Sequence, residues 1–103
     1  MAKEVVWSER AADDRDEILR YWIHRNKSKT YSDKLNKFFN DEVDSIKKHP
    51  EVFIRTDLKN LRARIVRYYL ILYEEKSDTV EILAVWDGRR NPKSLKKHLR
   101  KEK

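Results

Sequence analysis

Apolar positions along the chain keep a two-residue period, then a helical one, then a two-residue one again. Val5 and Trp7 alternate with Val6, which predicts a short strand over Lys3–Trp7. Ser8 follows, with a side chain suited to cap a helix N-terminus. Ala11, Ile18, Leu19 and Trp22 then recur at helical spacing with charges between them, so an amphipathic helix is expected to run to Arg25–Asn26. Ser28 is the expected cap of a second helix, whose stripe is Tyr31, Leu35, Phe38, Phe39, Glu42/Val43 and Ile46. Pro50 should end it, because proline lacks the backbone N–H and its ring clashes with the preceding turn. Two helices joined by a short polar link make a helical hairpin.

Beyond Pro50 the pattern becomes that of strands. Asp57–Arg62 is polar, and Ala63–Val66 is short and extended in character. Tyr69–Tyr73 is a continuous run of aromatic and branched residues, as a central strand requires. Glu74–Thr79 reads as a polar turn. In the next strand Val80, Ile82, Ala84 and Trp86 alternate with Glu81, Leu83 and Val85, which predicts one face for the first set. The predicted fold class is α+β. An N-terminal strand and a helical hairpin precede a three-stranded antiparallel meander, with the helices on one face of a twisted antiparallel sheet. A short C-terminal helix from Lys93 would be anchored by Leu95 and Leu99. At 103 residues, with one glycine, two prolines and no internal repeat, residues 1–103 form one domain ending in a basic tail, 93–103.

Charge narrows the choice of partners. Residues 1–54 hold 11 Lys/Arg and 11 Asp/Glu, whereas residues 55–103 hold 14 against 7. The entire excess of +7 therefore lies in the second half. A one-sided basic surface favours a polyanion, either nucleic acid or an acidic protein segment. The sequence has no cysteine, which excludes disulfides and thiolate metal sites. Its opening is charged rather than signal-like, and no apolar run approaches the ~20 residues of a membrane helix. A cytoplasmic protein with no membrane partner is expected.

Three segments in order carry a resemblance. Val6-Trp7-Ser8-Glu9-Arg10-Ala11 is a strand leaving through Ser into a helix. Residues Arg64 to Tyr73 (RIVRYYLILY) form a strand–turn–strand ending in an aromatic-rich strand. Val80 to Pro92 (VEILAVWDGRRNP) is a last strand followed by a basic turn. Together with the size and element order, these segments resemble the RelE/ParE superfamily of toxins from bacterial type II toxin–antitoxin systems. The resemblance implies a growth-arresting, plasmid-stabilising toxin neutralised by an acidic antitoxin wrapped over it. It implies one of two targets: messenger RNA on the ribosome, cut by RelE-type members, or DNA gyrase, poisoned without catalysis by ParE-type members. The site must decide, since fold alone does not carry function.

For RNA cleavage by 2′-hydroxyl attack, a site needs a base, charge stabilisation at the phosphate and an acid. Arg64, Arg67, Arg89 and Arg90 are the candidate phosphate ligands, because a guanidinium donates paired hydrogen bonds and keeps its charge. Asp87 is the candidate base, with a salt bridge to Arg89 or Arg90 as its simpler role. Arg62, Tyr68, Lys93, Lys96 and Lys97 are candidate nucleic-acid contacts, Tyr68 by stacking on a base. Any one of Arg62, Arg64 and Arg67 also reads as ordinary strand charge. Tyr69 and Tyr73 read as core, as do Trp7, Trp22 and Trp86. His24, His49 and His98 have neither a ligand spacing nor a catalytic pairing, so no metal or other cofactor is expected. Asp87 stands where many superfamily members have histidine, and no tyrosine follows Tyr73, which departs from the nuclease pattern. The leading expectation is a ribosome-dependent, metal-independent endoribonuclease. The alternatives are a gyrase inhibitor and a basic nucleic-acid-binding module or non-toxic family member.

Overall fold

The computed structural model describes residues 3–51, 54–55 and 61–100. The order of elements is β1 (Glu4–Trp7), α1 (Glu9–Asn26), α2 (Thr30–Lys48), β2 (Ile54–Arg55), β3 (Arg62–Val66), β4 (Tyr69–Glu75), β5 (Thr79–Asp87) and α3 (Pro92–Arg100). Ser8 caps α1 as expected, its Oγ accepting the Ala11 N–H at 3.0 Å. Ser28 does not cap α2. That role falls to Lys29, which makes no side-chain cap bond, while the Ser28 hydroxyl accepts the Thr30 N–H in the link between the helices. Helix α2 ends at Lys48, two residues before Pro50. Of the expected polar segment Asp57–Arg62, only Leu61 and Arg62 fall within the described residues: Leu61 is buried and Arg62 opens β3.

The strands form one sheet in the order β1-β5-β4-β3-β2. The meander β3–β4–β5 is antiparallel, and the YLILY strand is central, as expected. The sheet is not antiparallel throughout. β1 runs parallel to β5, with Val5 opposite Val80 and Trp7 opposite Ile82, because the helical hairpin returns the chain to the far side of the sheet. Helices α1 and α2 cover one face, burying Leu35, Phe39, Val43 and Ile46 against Tyr69, Ile71 and Tyr73. Burial pushes the Tyr73 phenol up to about 12, and its O–H donates to the Pro50 carbonyl at 2.7 Å.

The regular alternation expected of β5 fails at one residue. Tyr73 pairs with Ile82 and Leu72 with Ala84, so Leu83 is an extra residue with no partner on β4. This β-bulge turns the strand over. Val80, Ile82 and Val85 face the helical hairpin, whereas Ala84 and Trp86 join Leu72, Ala63 and Leu95 in a second apolar cluster on the opposite face. Helix α3 covers that second cluster through Leu95 and Leu99, the two leucines expected to anchor it.

Candidate functional site

Beyond Ile82, β5 outruns β1, and side chains of α1 take over its exposed edge. The Ser8 hydroxyl and the Arg10 guanidinium donate to the Leu83 carbonyl at 3.1 and 3.4 Å. Asp14 Oδ2 accepts the Val85 N–H at 3.0 Å. The same carboxylate lies 2.9 Å (Oδ1) and 3.1 Å (Oδ2) from His98 Nε2 on α3, and the His98 ring packs on Trp86. Arg10 also donates to the Leu99 carbonyl at 2.7 Å. Thus α3 is held to the body of the domain by Asp14 and Arg10 as well as by its leucines. Asp14 is only 8% exposed, and burial raises its pKa despite the opposing bonds from Val85 and His98.

At the end of this edge, α1, the tip of β5 and α3 enclose a cleft of about 350 Å³. Its walls include Glu17, Tyr21 and Tyr69 with Asp14 and His98, and its rim is the turn after β5 with Asp87, Arg89 and Arg90. Asp87 accepts Arg89 Nε at 3.0 Å and a terminal guanidinium N–H of the same residue at 2.8 Å, and also its backbone N–H at 2.9 Å. That bonding holds the Asp87 carboxyl below the usual carboxylate range and keeps Arg89 cationic. Arg89 lies 4.5 Å over the Tyr68 ring and Arg90 4.4 Å over Trp86. The turn is clamped to the β3–β4 hairpin by the Gly88 N–H, which donates to the Tyr68 carbonyl at 2.7 Å. A Cβ on Gly88 would stand 3.1 Å from that oxygen, so glycine permits the close approach.

The residues singled out from sequence are therefore divided among three places. Asp87, Arg89 and Arg90 share the cleft rim, with Tyr68 and Arg67 beside them on the hairpin tip. Arg67 adopts φ 58° there and lays its guanidinium 4.5 Å over Phe38. Arg62 and Arg64 sit farther along β3 toward α2, where Arg64 pairs with Glu42. Lys93, Lys96 and Lys97 line a different groove on α3. Asp87 forms a salt bridge with Arg89, one of the two arginines expected as its partner in that role.

Sequence reasoning missed Asp14, Glu17 and Tyr21. It also left His98 without a pairing, which the structure corrects: Asp14 lies against it across 84 positions of chain. One signal was available. Asp14 falls on the apolar stripe between Ala11 and Ile18, where an acid requires a partner. Tyr69, expected in the core, is buried but also reaches the cleft wall, and its hydroxyl accepts the Trp22 indole N–H at 2.8 Å. Among the described residues no group of three or more His, Asp or Glu side chains is arranged to hold a metal ion. No helix of the described residues is long and apolar enough to cross a membrane.

A chain of the chromosomal ParDE toxin–antitoxin system from P. aeruginosa has a similar fold, with a TM-score of 0.75 over 84% of this chain and 96% of that one at 13% identity. No curated protein matches the sequence significantly. The profile of the family described as ParE toxin of type II toxin–antitoxin system, parDE, matches residues 5–92. The chain belongs to the ParE toxin family.

Proposed function

We propose that this protein arrests growth by binding DNA gyrase without itself breaking a covalent bond, and that the rim formed by Tyr68, Arg89 and Arg90 makes the contact. The family match over residues 5–92 carries this reading, and it favours gyrase over the ribosome-bound message that was the leading expectation. The rim supports it chemically. Asp87 is engaged three times by Arg89 and acts as its clamp, which suits presentation of a rigid arginine better than proton abstraction. Tyr68 is 51% exposed with Arg89 stacked on it, and arginine and tyrosine are the residue types that most often dominate protein interfaces. An acidic antitoxin, the partner implied by a ParDE-type pair, would silence the toxin by covering this rim.

The Asp14–His98 pair supports a second reading. An imidazole oriented by a carboxylate in the same cleft as Arg90 is the material of acid–base chemistry, so a metal-independent endoribonuclease would use it. In that reading Arg89 and Arg90 on the cleft rim would grip the phosphate and Tyr68 a flanking nucleotide, while Arg64, paired with Glu42, and Arg67, stacked on Phe38, stand outside the cleft lining.

Two assays on the purified protein separate the readings: inhibition of gyrase supercoiling, and integrity of messenger RNA in a translation extract. The wild type is expected to inhibit gyrase and leave messages whole. Arg89→Ala should lose at least about tenfold in inhibition, equivalent to roughly 1.4 kcal/mol of binding. Cut messages, uninhibited gyrase and loss of cutting in His98→Ala would replace the first reading by the second.

A further inference from the structure

We propose that the outer face of α3 is a docking ridge for duplex DNA, separate from the cleft and its rim. Lys93, Lys96 and Lys97 stand three and four residues apart, which places them on one side of the helix. They line an open groove of about 380 Å³ with Ser94. All three are exposed, and among the described residues no carboxylate lies within ion-pair distance of them. Lysines elsewhere divide: Lys37 pairs with Asp41 and Lys48 with Asp44 on α2, Lys3 with Glu75, and Lys76 with Glu81, whereas Lys27, Lys29, Lys34 and Lys47 are exposed like those of α3 but lie in a half whose charge balances.

The helix carries no acid at all, and Lys93 sits in its first turn, where a cation opposes the helix dipole. Nothing described within the chain offsets this charge; an external polyanion would. The ridge is also well placed to present it. Leu95 is buried, His98 is tied to Asp14, and the Leu99 carbonyl accepts Arg10, so the lysines project from a fixed helix.

The chemistry of the face selects the partner. The apolar residues of α3, Leu95 and Leu99, turn inward against Trp86 and Ala84, so the outer face offers charge without an apolar anchor. An acidic peptide held tightly needs such anchors. A regular array of phosphates does not, because counterion release alone supplies sequence-independent affinity.

The test is fluorescence anisotropy of a labelled duplex of about 20 base pairs with the full-length protein, titrated between about 50 and 200 mM salt. If the three lysines each neutralise a phosphate, this fourfold rise in salt should weaken wild-type binding by about 40-fold or more. The K93Q/K96Q/K97Q variant should bind weakly, with a log–log salt slope shallower by about 2.7. A K37Q/K48Q variant, which removes lysines already paired on α2, should bind like the wild type.

A wild-type slope below about 1 would overturn the proposal with no variant involved. So would a triple variant that binds like the wild type while keeping its circular dichroism spectrum. Tighter binding to single-stranded RNA, or to a polyglutamate peptide, would assign the ridge to another partner and likewise overturn it. Gyrase is absent from the assay, so the outcome is independent of the toxin's target.

Discussion

Tyr68 and Tyr69 are neighbours in sequence with opposite duties, and the difference is one of exposure. Tyr69 is 3% exposed, meets Phe39 edge-on at a ring separation of 5.9 Å, and accepts the Trp22 indole N–H. Tyr68 turns to solvent on the hairpin tip and supports Arg89. Tyr69→Ala should therefore cost roughly 3–5 kcal/mol of stability, the usual toll for deleting a buried aromatic. Tyr68→Ala should stay within about 0.5 kcal/mol, as surface changes do, while weakening target binding. Urea denaturation of both variants reads the first difference directly. Equal midpoints would mean that the exposure contrast does not govern stability here.

At the scale of elements, the decisive feature is how α1 completes the edge of β5. Asp14 replaces the absent neighbouring strand at Val85 and also ties down α3 through His98, so one buried carboxylate joins three elements. Its cost is desolvation, which raises its pKa in the folded state. The sign of the pH effect follows. A group whose folded pKa is raised contributes most stability below its unfolded value, about 3.9 for aspartate, and loses it as pH rises through the folded pKa. Asp14→Asn keeps a carbonyl oxygen for the Val85 N–H but cannot titrate. The wild type should therefore gain stability relative to Asp14→Asn as pH falls from 7 toward about 4. Urea unfolding of both proteins across that window measures the difference, in which the other carboxylates cancel. A difference that grows with rising pH would mean that the His98 pairing, and not burial, dominates Asp14.

At the scale of the whole molecule, charge is segregated. The second half carries the full +7, and the structure gathers Arg89 and Arg90 at the cleft rim, Arg67 beside them and the lysines on α3. An acidic antitoxin segment would be drawn to that half and would order as it bound. Charge pairing chiefly accelerates association, while apolar anchors set the residence time. Raising ionic strength from physiological, with a Debye length of about 8 Å, to 1 M, about 3 Å, should slow association more than it speeds dissociation. Surface plasmon resonance with the antitoxin measures both rates, and hydrogen exchange should show protection in residues 61–100 more than in 9–48. Protection confined to α1 and α2 would show that the charge asymmetry serves another partner.

Every element but the two-residue β2, which was not expected, is legible in the sequence. The stripes of α1 and α2, the apolar YLILY run and the alternation at the start of β5 all encode local periodicity, which depends on neighbours within a few residues. The sequence also carried the basic turn, because Asp87, Arg89 and Arg90 lie within four positions of one another along the chain. Tertiary structure alone decided three other features. β1 lies parallel to β5 because strand direction is set by the path of the whole hairpin. Ala84 and Trp86 leave the face of Ile82 because Leu83 bulges, and nothing in an unbroken alternation marks where an extra residue will go. The cleft wall, with Asp14 against His98, exists only because the two ends of the chain meet across the edge of β5. Such a contact leaves no local period, only the trace of an acid on an apolar stripe that must find its partner somewhere.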